Sequence, residues 1–330
     1  MPAEDPGVRW LLMSKDPSVR YLTLTRVLGT PLDSSNVKAV EQEIPRSPKI
    51  RALLSGQLRD GGFGVHPYQK WTGAHWRLVS LVELKIPRGN RRAVRATGDV
   101  LRWLLGPKHL NAIKSVNGLT RRCASQEGNA LAVCSYLGMA EEPEVRTLAD
   151  SLVDWQWPDG GWNCDKRPGA NHSSFYESLV PLWGLLQYNH VTGDREAKRA
   201  AERASEFFLA HRLFRSHRNG KVIDREWLKF HYPLYWRYDI LQALRVLAFA
   251  NKVKDVRACQ ALDLVESKRS EDGRWSVEGC FWNMRRKVPI PGKGPVTSNV
   301  DLVDWGRHGP NEMITLNALA VLKAAGRLRM

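Results

Sequence analysis

The chain has 330 residues, of which 43% are hydrophobic, and a formal net charge of +16. A chain of this length can bury a substantial core, and since no run of eighteen apolar residues occurs, we predict no membrane-spanning helix. The five cysteines are irregularly spaced, which favours reduced thiols over a disulfide framework. The first residues, Met1 to Asp5, lack the positive charge and apolar stretch of a signal peptide, so we expect a cytoplasmic protein.

The positive charge gathers in groups of basic residues. Such groups raise the local concentration of anions, and they suit either an anionic small ligand or peripheral contact with an anionic membrane. Alternatively, they only solvate outer helices and loops. Nucleic acid is the least favoured partner, because aromatic residues do not interleave with the basic residues. The groups lie at 88–95, 121–122, 212–218 and 285–287.

In chain order, the first predicted elements are two helices, near residues 17–28 and 36–44. We assign residues 1–47 to an N-terminal helical extension packed on the main domain, residues 48–330. In that domain a turn sequence recurs at 57–63, at 156–162 and, in weaker form, at 269–275. Its Asp-Gly core reverses the chain tightly, because glycine accepts a positive φ and aspartate can bond the following backbone. The aromatic residue that ends each turn is expected to pack back on the helix just ended.

Amphipathic stretches precede these turns, and apolar helices follow them, sometimes after a long loop. Helix pairs that repeat every few tens of residues indicate a helical array. We predict an all-α fold in which five to six hairpins close into an α/α toroid, with the first helices outside and the second helices inside. An open solenoid is the alternative. The second helices are predicted to start near His75, Gln126, Ser174, Trp236 and Asn311.

The turn at 156–162 has the pattern Gln-x-x-Asp-Gly-Gly-Trp, which resembles the repeat of squalene and oxidosqualene cyclases. The stretch 160–169, continuing through Phe175 and Tyr176 to Leu185, is similar to a segment of protein prenyltransferase β subunits. Over residues 48–325 the chain resembles bacterial proteins described as carrying prenyltransferase or squalene-oxidase repeats. The resemblance implies a toroid of the terpenoid cyclase and protein prenyltransferase superfamily. It also implies a hydrophobic, anionic, isoprenoid-type ligand.

The catalytic motifs of these families are missing. The Asp-x-Asp-Asp motif that protonates substrate in class II cyclases is absent, and so is the Asp-Asp-x-x-Asp motif that holds magnesium diphosphate. Where protein prenyltransferases have an Asp and a His that help to set a zinc site, this chain has Ser174 and Glu177. The resemblance therefore predicts the fold and the class of ligand, and these departures argue against farnesyl-type protein prenylation.

In a toroid, the inner helices aim one set of ends at a common mouth, so polar residues at their N-terminal ends converge. Helix N-termini add free N–H donors and partial positive charge there. We predict catalytic carboxylates at this mouth, with Glu177 or Asp239 as the general acid. The predicted carboxylates are Glu127, Glu177, Asp239 and Glu312. The predicted substrate-binding residues are His75, Arg77, Asn129, His172, Tyr176, His231 and Tyr238.

Each of these residues also has a structural interpretation. Ser174 and Glu177 fit a capping box, Asp239 fits an ion pair with Arg237 or Arg245, and Glu312 suits the first turn of a helix. Three functions therefore remain open. The first is a cyclase- or prenyltransferase-like protein. The second is a carbohydrate-active toroid, a hydrolase or lyase that uses two of the carboxylates. The third is a non-catalytic binding scaffold that retains only the fold.

Zinc is a further alternative. Cys123, Cys164 and His172 lie near the N-terminal ends of adjacent inner helices, and two cysteines with a histidine and an open fourth position form a catalytic zinc pattern. The competing interpretation is that these thiols are small buried hydrophobes, as Cys134 and Cys259 are expected to be. We keep zinc as a candidate cofactor held by Cys123, Cys164 and His172.

Two long irregular stretches, 211–233 and 276–310, each separate an outer helix from an inner one. Loops of this length in a compact domain often act as lids or binding loops. Because both emerge on the face where the inner helices begin, we predict that they cover the pocket mouth.

Overall fold

A computed structural model describes residues 5–284 and 299–328 of the chain. Within these ranges the protein is mostly helical and has one short two-stranded sheet, in agreement with the all-α prediction. No helix in the described ranges is both long and apolar enough to cross a membrane. The basic group 285–287 and most of the proline-rich part of the predicted loop 276–310 lie outside the described residues.

Fourteen α-helices form most of the regular structure of the described ranges. The second of them continues directly into a π-helical segment, Thr23–Leu28, and the sheet pairs β1 (Lys114–Val116) with β2 (Leu119–Arg121) as an antiparallel hairpin. The α-helices are α1 (Pro6–Leu12), α2 (Pro17–Leu22), α3 (Ser35–Glu43), α4 (Pro48–Leu54), α5 (Ala74–Glu83), α6 (Arg91–Leu104), α7 (Pro107–Leu110), α8 (Ser125–Leu137), α9 (Pro143–Asp154), α10 (Phe175–Thr192), α11 (Arg195–Ala210), α12 (Ile240–Phe249), α13 (Cys259–Ser267) and α14 (Glu312–Ala324).

Three of the N-terminal helices begin at a capping residue that is followed by proline. The side chains of Asp5, Asp16 and Ser47 accept hydrogen bonds from backbone N–H groups in the first turns of α1, α2 and α4. The proline that follows has no N–H group to leave unsatisfied, and its fixed φ suits the first helical position. These local signals set the points at which the three helices begin.

The apolar second helices of the predicted hairpins are present. The helices α5, α8, α10 and α14 each begin within one residue of the predicted position. The helix α12 begins at Ile240 rather than near Trp236, because the Asp239 carboxylate accepts the N–H of Gln242 at 2.8 Å and so caps the helix. The predicted N-terminal helices correspond to α2 with its π-helical segment and to α3.

The three recurring turn sequences fold into the same hydrogen-bonded turn. In each, the N–H of the second residue donates to the carbonyl of the sixth, and the N–H of the fifth donates to the carbonyl of the second. The fifth residue is Gly61, Gly160 or Gly273, with φ of +95°, +94° and +79°. This left-handed region favours glycine, so the Asp-Gly pattern correctly predicts the conformation of the turn.

The tryptophans that end the second and third turns pack back on the preceding helices, as expected. The indole N–H groups of Trp162 and Trp275 donate to the carbonyls of Leu152 and Val265, at 2.9 and 2.7 Å. Both rings are at most 1% exposed. A large buried ring with a satisfied N–H therefore fixes each turn to the helix before it.

The first two turns also contact the second α-helix that follows each of them in the chain. A Cβ atom on Gly61 would lie 2.2 Å from the carbonyl oxygen of Arg95 in α6. A Cβ atom on Gly160 would lie 2.5 Å from the carbonyl oxygen of Arg203 in α11. Because real Cβ atoms do not approach so closely, each turn requires glycine for contact as well as for conformation.

The third turn makes the same kind of contact with the first helix of the chain. A Cβ atom on Gly7 of α1 would lie 2.3 Å from the carbonyl oxygen of Gly273. The guanidinium of Arg269, in the same turn, forms an ion pair with Asp5, the N-cap of α1. The third recurring turn is therefore bound to the first helix of the described chain.

Two glycines allow α8 and α10 to cross closely. A Cβ atom on Gly128 would lie 2.6 Å from the backbone nitrogen of Pro181, and one on Gly184 would lie 2.5 Å from the carbonyl oxygen of Gly128. The backbones approach more closely than side chains would permit. The crossing places the first turn of α8 beside α10, where the candidate residues lie.

Candidate functional site

The predicted carboxylate Glu127 is buried in the first turn of α8. Its Oε1 atom accepts hydrogen bonds from the Arg122 guanidinium, at 2.9 Å from Nε, and lies 3.2 Å from Nε2 of His109. Burial raises the pKa of Glu127 to about 7, although the Arg122 charge acts in the opposite direction. Glu127 is therefore held in an ion pair inside the protein.

Glu177, one of the two predicted general acids, is also buried, in the first turn of α10. Its Oε2 atom accepts the backbone N–H of Ser125 at 2.9 Å and so joins α10 to α8. The predicted capping box is wrong, because Ser174 makes no side-chain capping bond and Glu177 reaches the neighbouring helix instead. Burial is the main cause of the raised pKa of Glu177.

His75, Asn129 and Arg77 are buried, and their polar groups are bonded within the protein. The Asn129 amide lies 3.1 Å from Nε2 of His75. Burial lowers the pKa of His75 to about 3, so the ring is neutral near pH 7. The Arg77 guanidinium donates to the carbonyls of Leu53 and Ser55, at 3.2 and 2.8 Å. These contacts join α5 to α8 and to the end of α4.

His231, Tyr238 and Asp239 form a second buried group, just before α12. The Asp239 carboxylate lies 3.1 Å from Nδ1 of His231. The close partner of Asp239 is therefore His231, where we predicted an ion pair with Arg237 or Arg245. The Tyr238 hydroxyl donates to the carbonyl of Leu213 at 2.6 Å. Asp239 thus caps α12 and fixes the preceding loop.

Glu312 and His172 lie apart from these groups. Glu312 borders a surface groove beside Trp10, and the exposed His172 accepts a hydrogen bond from Arg218 at 2.6 Å. The predicted carboxylates are therefore distributed over separate local networks. None of the four lines the interior cavities that α5 and α8 border in the described part of the chain.

The thiols of Cys123 and Cys164 come together beside Glu177, although they are distant in sequence. A parallel bridge pairs Arg121, the last residue of β2, with Asn163, and each of the two is closely followed by a cysteine. The two sulfur atoms and one Glu177 carboxylate oxygen lie within 4.8 Å of one another. A hydrogen bond between the thiols lowers the pKa of Cys164 and raises the pKa of Cys123.

The predicted zinc ligands are thus only partly brought together. Among residues 5–284 and 299–328, Cys123, Cys164 and Glu177 are the one set of three histidine, cysteine or acidic side chains close enough to share a metal ion. Glu177 takes the place that the sequence assigned to His172. Cys134 is buried in α8, as expected for a core residue.

The two predicted lid segments pack into the molecule. The Tyr235 ring is 5% exposed and stacks on Trp71, with 3.9 Å between ring centres. The Tyr235 hydroxyl donates to Asp301, and the Tyr235 carbonyl accepts the hydroxyl of Tyr176. Tyr235 lies just after the predicted segment 211–233. Within that segment the centre of the Trp227 ring lies 4.3 Å from that of Phe175, the first residue of α10, and in the second segment the Val300 carbonyl accepts the N–H of Trp71, before α5.

A small interior chamber of about 40 Å³ lies behind these segments. Its walls come from α5, α8, α10 and α12, and the loop 232–235 closes one side. Most of the side chains that line it are apolar or aromatic, and its polar lining includes Glu83, Arg245 and Asn129, the last of which we predicted to bind substrate. The apolar wall residues are Val79, Leu179, Val180, Trp183, Leu234 and Val246.

A wider cavity of about 550 Å³ borders the chamber. The two share Glu83, Trp183, Arg245 and Val246. Residues near the C-terminal ends of α5, α8, α10, α12 and α14 line it, together with Leu22 and the π-helical segment. The interior therefore opens at the end of the helices opposite to the one that we predicted.

Charged side chains surround this wider cavity. The guanidinium of Arg245 and the carboxylate of Glu83 form an ion pair at 2.6 Å. Arg26 is surrounded by protein atoms, and this burial lowers its pKa. Its side chain nevertheless remains accessible, because it faces the cavity. Burial, followed by the Arg26 charge, lowers the pKa of Lys85 to about 7. With Arg88 added, cations outnumber the one carboxylate, and the mouth attracts anions.

These cavity residues were not predicted from the sequence. Arg26, Glu83 and Arg245 belong to three segments far apart in the chain, and we considered only the N-terminal ends of the inner helices. A usable signal was nevertheless present. A charged residue within an otherwise apolar inner helix, such as Arg245 in α12, must face a partner or a cavity, since burial of an isolated charge is costly.

A scan against models of protein families finds no match, and a search of curated proteins finds no similar protein. The resemblance to cyclases and prenyltransferases therefore stays a prediction from the sequence motifs. The function proposed for the chain depends on the geometry of its own residues.

Proposed function

We propose that the helices form a closed α/α toroid of six hairpins. Three observations support it: the turns share one geometry, the first two contact the second α-helix that follows each of them, and the third contacts α1. In this arrangement α1 and α2 belong to the ring, and the remainder of residues 1–47 is an addition to it. The proposed hairpins are α1 with α2, α4 with α5, α6 with α8, α9 with α10, α11 with α12, and α13 with α14.

We further propose that the toroid binds an amphiphilic anionic small molecule of the isoprenoid type. The observation that carries this proposal is the wider cavity of about 550 Å³, which is lined both by apolar side chains of α10, α12 and α14 and by the cations Arg26, Lys85 and Arg88. The hydrocarbon part gains about 25 cal/mol for each Å² of apolar surface that it buries against the apolar wall of this cavity. The anionic head is stabilised at the mouth by Arg26, Lys85 and Arg88.

The cavity supports binding more directly than catalysis. Among the described residues, Glu83 is the one carboxylate that lines either cavity. Burial opposes its ionisation, but the charges of Arg245 and Arg26 prevail, and the pKa of Glu83 is lowered. Glu83 is thus an ion-paired carboxylate and a poor proton donor. The carbohydrate alternative requires a second carboxylate, and none of the described residues that line the cavity supplies one.

Three probes separate the contributions of the tail and the head. Farnesyl diphosphate carries both, farnesol lacks the anion, and inorganic diphosphate lacks the tail. We expect calorimetry to show about tenfold or greater preference for farnesyl diphosphate over each of the others. Trp183 lines both cavities, so only the tail-bearing probes should change the tryptophan fluorescence of the chain, and the change should be lost in Trp183→Phe.

The variant Arg26→Gln tests whether the mouth binds the head. Among the described residues the Arg26 side chain forms no hydrogen bond or ion pair, and Glu83, whose pKa its charge helps to lower, keeps its ion pair with Arg245. We expect a loss of about tenfold in affinity for farnesyl diphosphate and no change for farnesol. The control is Arg51→Gln, an exposed arginine of α4 away from both cavities. The proposal is contradicted if the two substitutions have equal effects, or if farnesol binds as tightly as farnesyl diphosphate.

A further inference from the structure

Main-chain contacts hold Cys123 and Cys164 together outside the proposed ligand cavity. Cys123 lies between β2 and α8, and Cys164 lies between the second turn and α10. The bridge between Arg121 and Asn163 aligns the two segments in parallel. The approach of the thiols is therefore imposed by the backbone and not by the conformation of two flexible side chains.

The third member of the group is fixed in the same way. The Glu177 carboxylate accepts the backbone N–H of Ser125 at 2.9 Å, through Oε2. The segment that carries Cys164 is tied to α10, because the N–H of Trp162 donates to the Ser178 hydroxyl at 3.0 Å. Two thiols and a carboxylate are thus positioned by three elements that pack against one another.

The spacing of these three atoms fits the ligand shell of zinc. Zinc binds thiolate sulfur at about 2.3 Å and carboxylate oxygen at about 2.0–2.2 Å, so tetrahedral geometry separates two sulfur ligands by about 3.8 Å. All three ligand atoms already lie within 4.8 Å of one another. Sulfur ligands select zinc over magnesium or calcium.

We propose that Cys123, Cys164 and Glu177 bind one zinc ion and leave its fourth position to water or to a ligand from solution. Three protein ligands with one open position are typical of catalytic zinc, whereas structural zinc has four. Both cysteines are half-buried, so solvent reaches the group. The third ligand is Glu177, and His172 takes no part. This site stands independently of the amphiphile proposed for the central cavity.

Metal content of the full chain tests the proposal. Reduced, chelator-treated protein is dialysed against zinc and analysed for bound metal, and cobalt is then added as a spectroscopic substitute. We expect about one zinc per chain and a thiolate-to-cobalt charge-transfer band. Cys123→Ser and Cys164→Ser should each lower the zinc affinity by about 100-fold or more, and Glu177→Gln by about 10- to 100-fold. Glutamine keeps an acceptor for the Ser125 N–H and removes only the charge.

Two matched variants serve as controls. His172→Gln removes the ligand predicted from sequence, and Cys280→Ser removes a half-buried thiol outside the group. Both should bind zinc like the original chain, and thermal unfolding should show that every variant is folded. Absence of stoichiometric zinc, binding that survives Cys123→Ser, or loss of zinc in His172→Gln would overturn the proposal. So would a Cys123–Cys164 disulfide that persists in reductant.

Discussion

Lys85 follows α5 in the left-handed region, with φ of +61°, and lines the wider cavity. Its ammonium lies 4.8 Å from the centre of the Tyr136 ring. Burial, followed by the charge of Arg26, lowers the pKa of Lys85 to about 7, whereas the Glu83 carboxylate acts in the opposite direction. An ordinary lysine stays charged at neutral pH, but this one gains or loses its charge there.

We predict that the affinity of the cavity for an amphiphilic anion rises as the pH falls through about 7. Below this pH Lys85 is protonated and adds a positive charge to the mouth. The affinity should rise by about tenfold, because one hydrogen bond from a charged donor contributes about 1.5 kcal/mol. The measurement is titration calorimetry with decanesulfonate, whose own charge is constant over this pH range.

The variant Lys85→Gln should remove this pH dependence and retain the affinity seen at high pH. The control His190→Gln tests the histidine that lines the same cavity and should leave the dependence in place. An unchanged pH profile in Lys85→Gln contradicts the interpretation. The other charged groups of this cavity, which remain in both variants, are Arg26, Glu83, Arg88 and Arg245.

At the scale of residues, the sequence indicates which side chains could take part in a site, but it does not indicate the surroundings in which they lie. Glu177 and Cys123 were singled out because of their residue types, and both lie in one cluster. The third member of the cluster is Glu177 and not His172, because the residue that joins the two thiols depends on the path of a loop that no local pattern encodes. His75 was predicted to bind substrate, but burial leaves it neutral and bonded to Asn129.

At the scale of elements, the few residues of a recurring turn join three helices. For the second turn these are α9 before it, α10 after it and α11, which Gly160 contacts. Gly160 combines a φ of +94° with a backbone contact to α11, whereas Gly138 has a similar φ of +91° with nothing within 4 Å of a Cβ atom. The two glycines share the conformational requirement and differ in the contact. Comparing them isolates the contribution of packing between the turn and α11.

We predict that Gly160→Ala lowers the free energy of unfolding by about 2–4 kcal/mol, the sum of left-handed strain and overpacking. Gly138→Ala should cost only the strain, about 1 kcal/mol. Urea denaturation of the two variants measures both values. If the two substitutions have equal effects, the turn does not depend on its contact with α11.

Most of the elements were predictable because their signals are local. Apolar spacing indicated the helices, and the Asp-Gly pattern indicated the turns. The hairpin of β1 and β2 was missed, since three-residue strands at 114–116 and 119–121 are too short to show an alternating pattern. The predicted start of α12 was too early, because the Asp239 side chain caps the helix and so sets its boundary after the preceding apolar residues.

At the scale of the whole molecule, the fold depends on whether the two ends of the helical array meet. Gly7 of α1 and Gly273 of the last turn are in backbone contact, and the ion pair between Asp5 and Arg269 lies beside them. No sequence pattern indicates this seam, because its residues are separated by almost the whole chain. An open solenoid would leave both surfaces exposed, whereas a closed toroid requires them to pack.

The substitution Gly7→Ala distinguishes these two outcomes by the sign of its effect. Alanine in an α-helix is favoured over glycine by about 1 kcal/mol, so in an open array the variant should be more stable. In a closed ring its Cβ atom would lie 2.3 Å from the Gly273 carbonyl oxygen, and overpacking should lower the free energy of unfolding by about 1–3 kcal/mol. The control is Gly98→Ala in α6, where the nearest atom within reach belongs to the flexible side chain of Arg102.

We expect Gly98→Ala to be neutral or stabilising and Gly7→Ala to be destabilising in the same urea denaturation experiment. Hydrogen exchange should then locate the effect, because a closed ring couples the two ends. Amide protection in 269–275 should fall in Gly7→Ala, although the substitution lies in α1, and protection in 156–162 should fall less. Stabilisation by Gly7→Ala, with unchanged exchange in 269–275, would show that the seam is not formed and would favour the open solenoid.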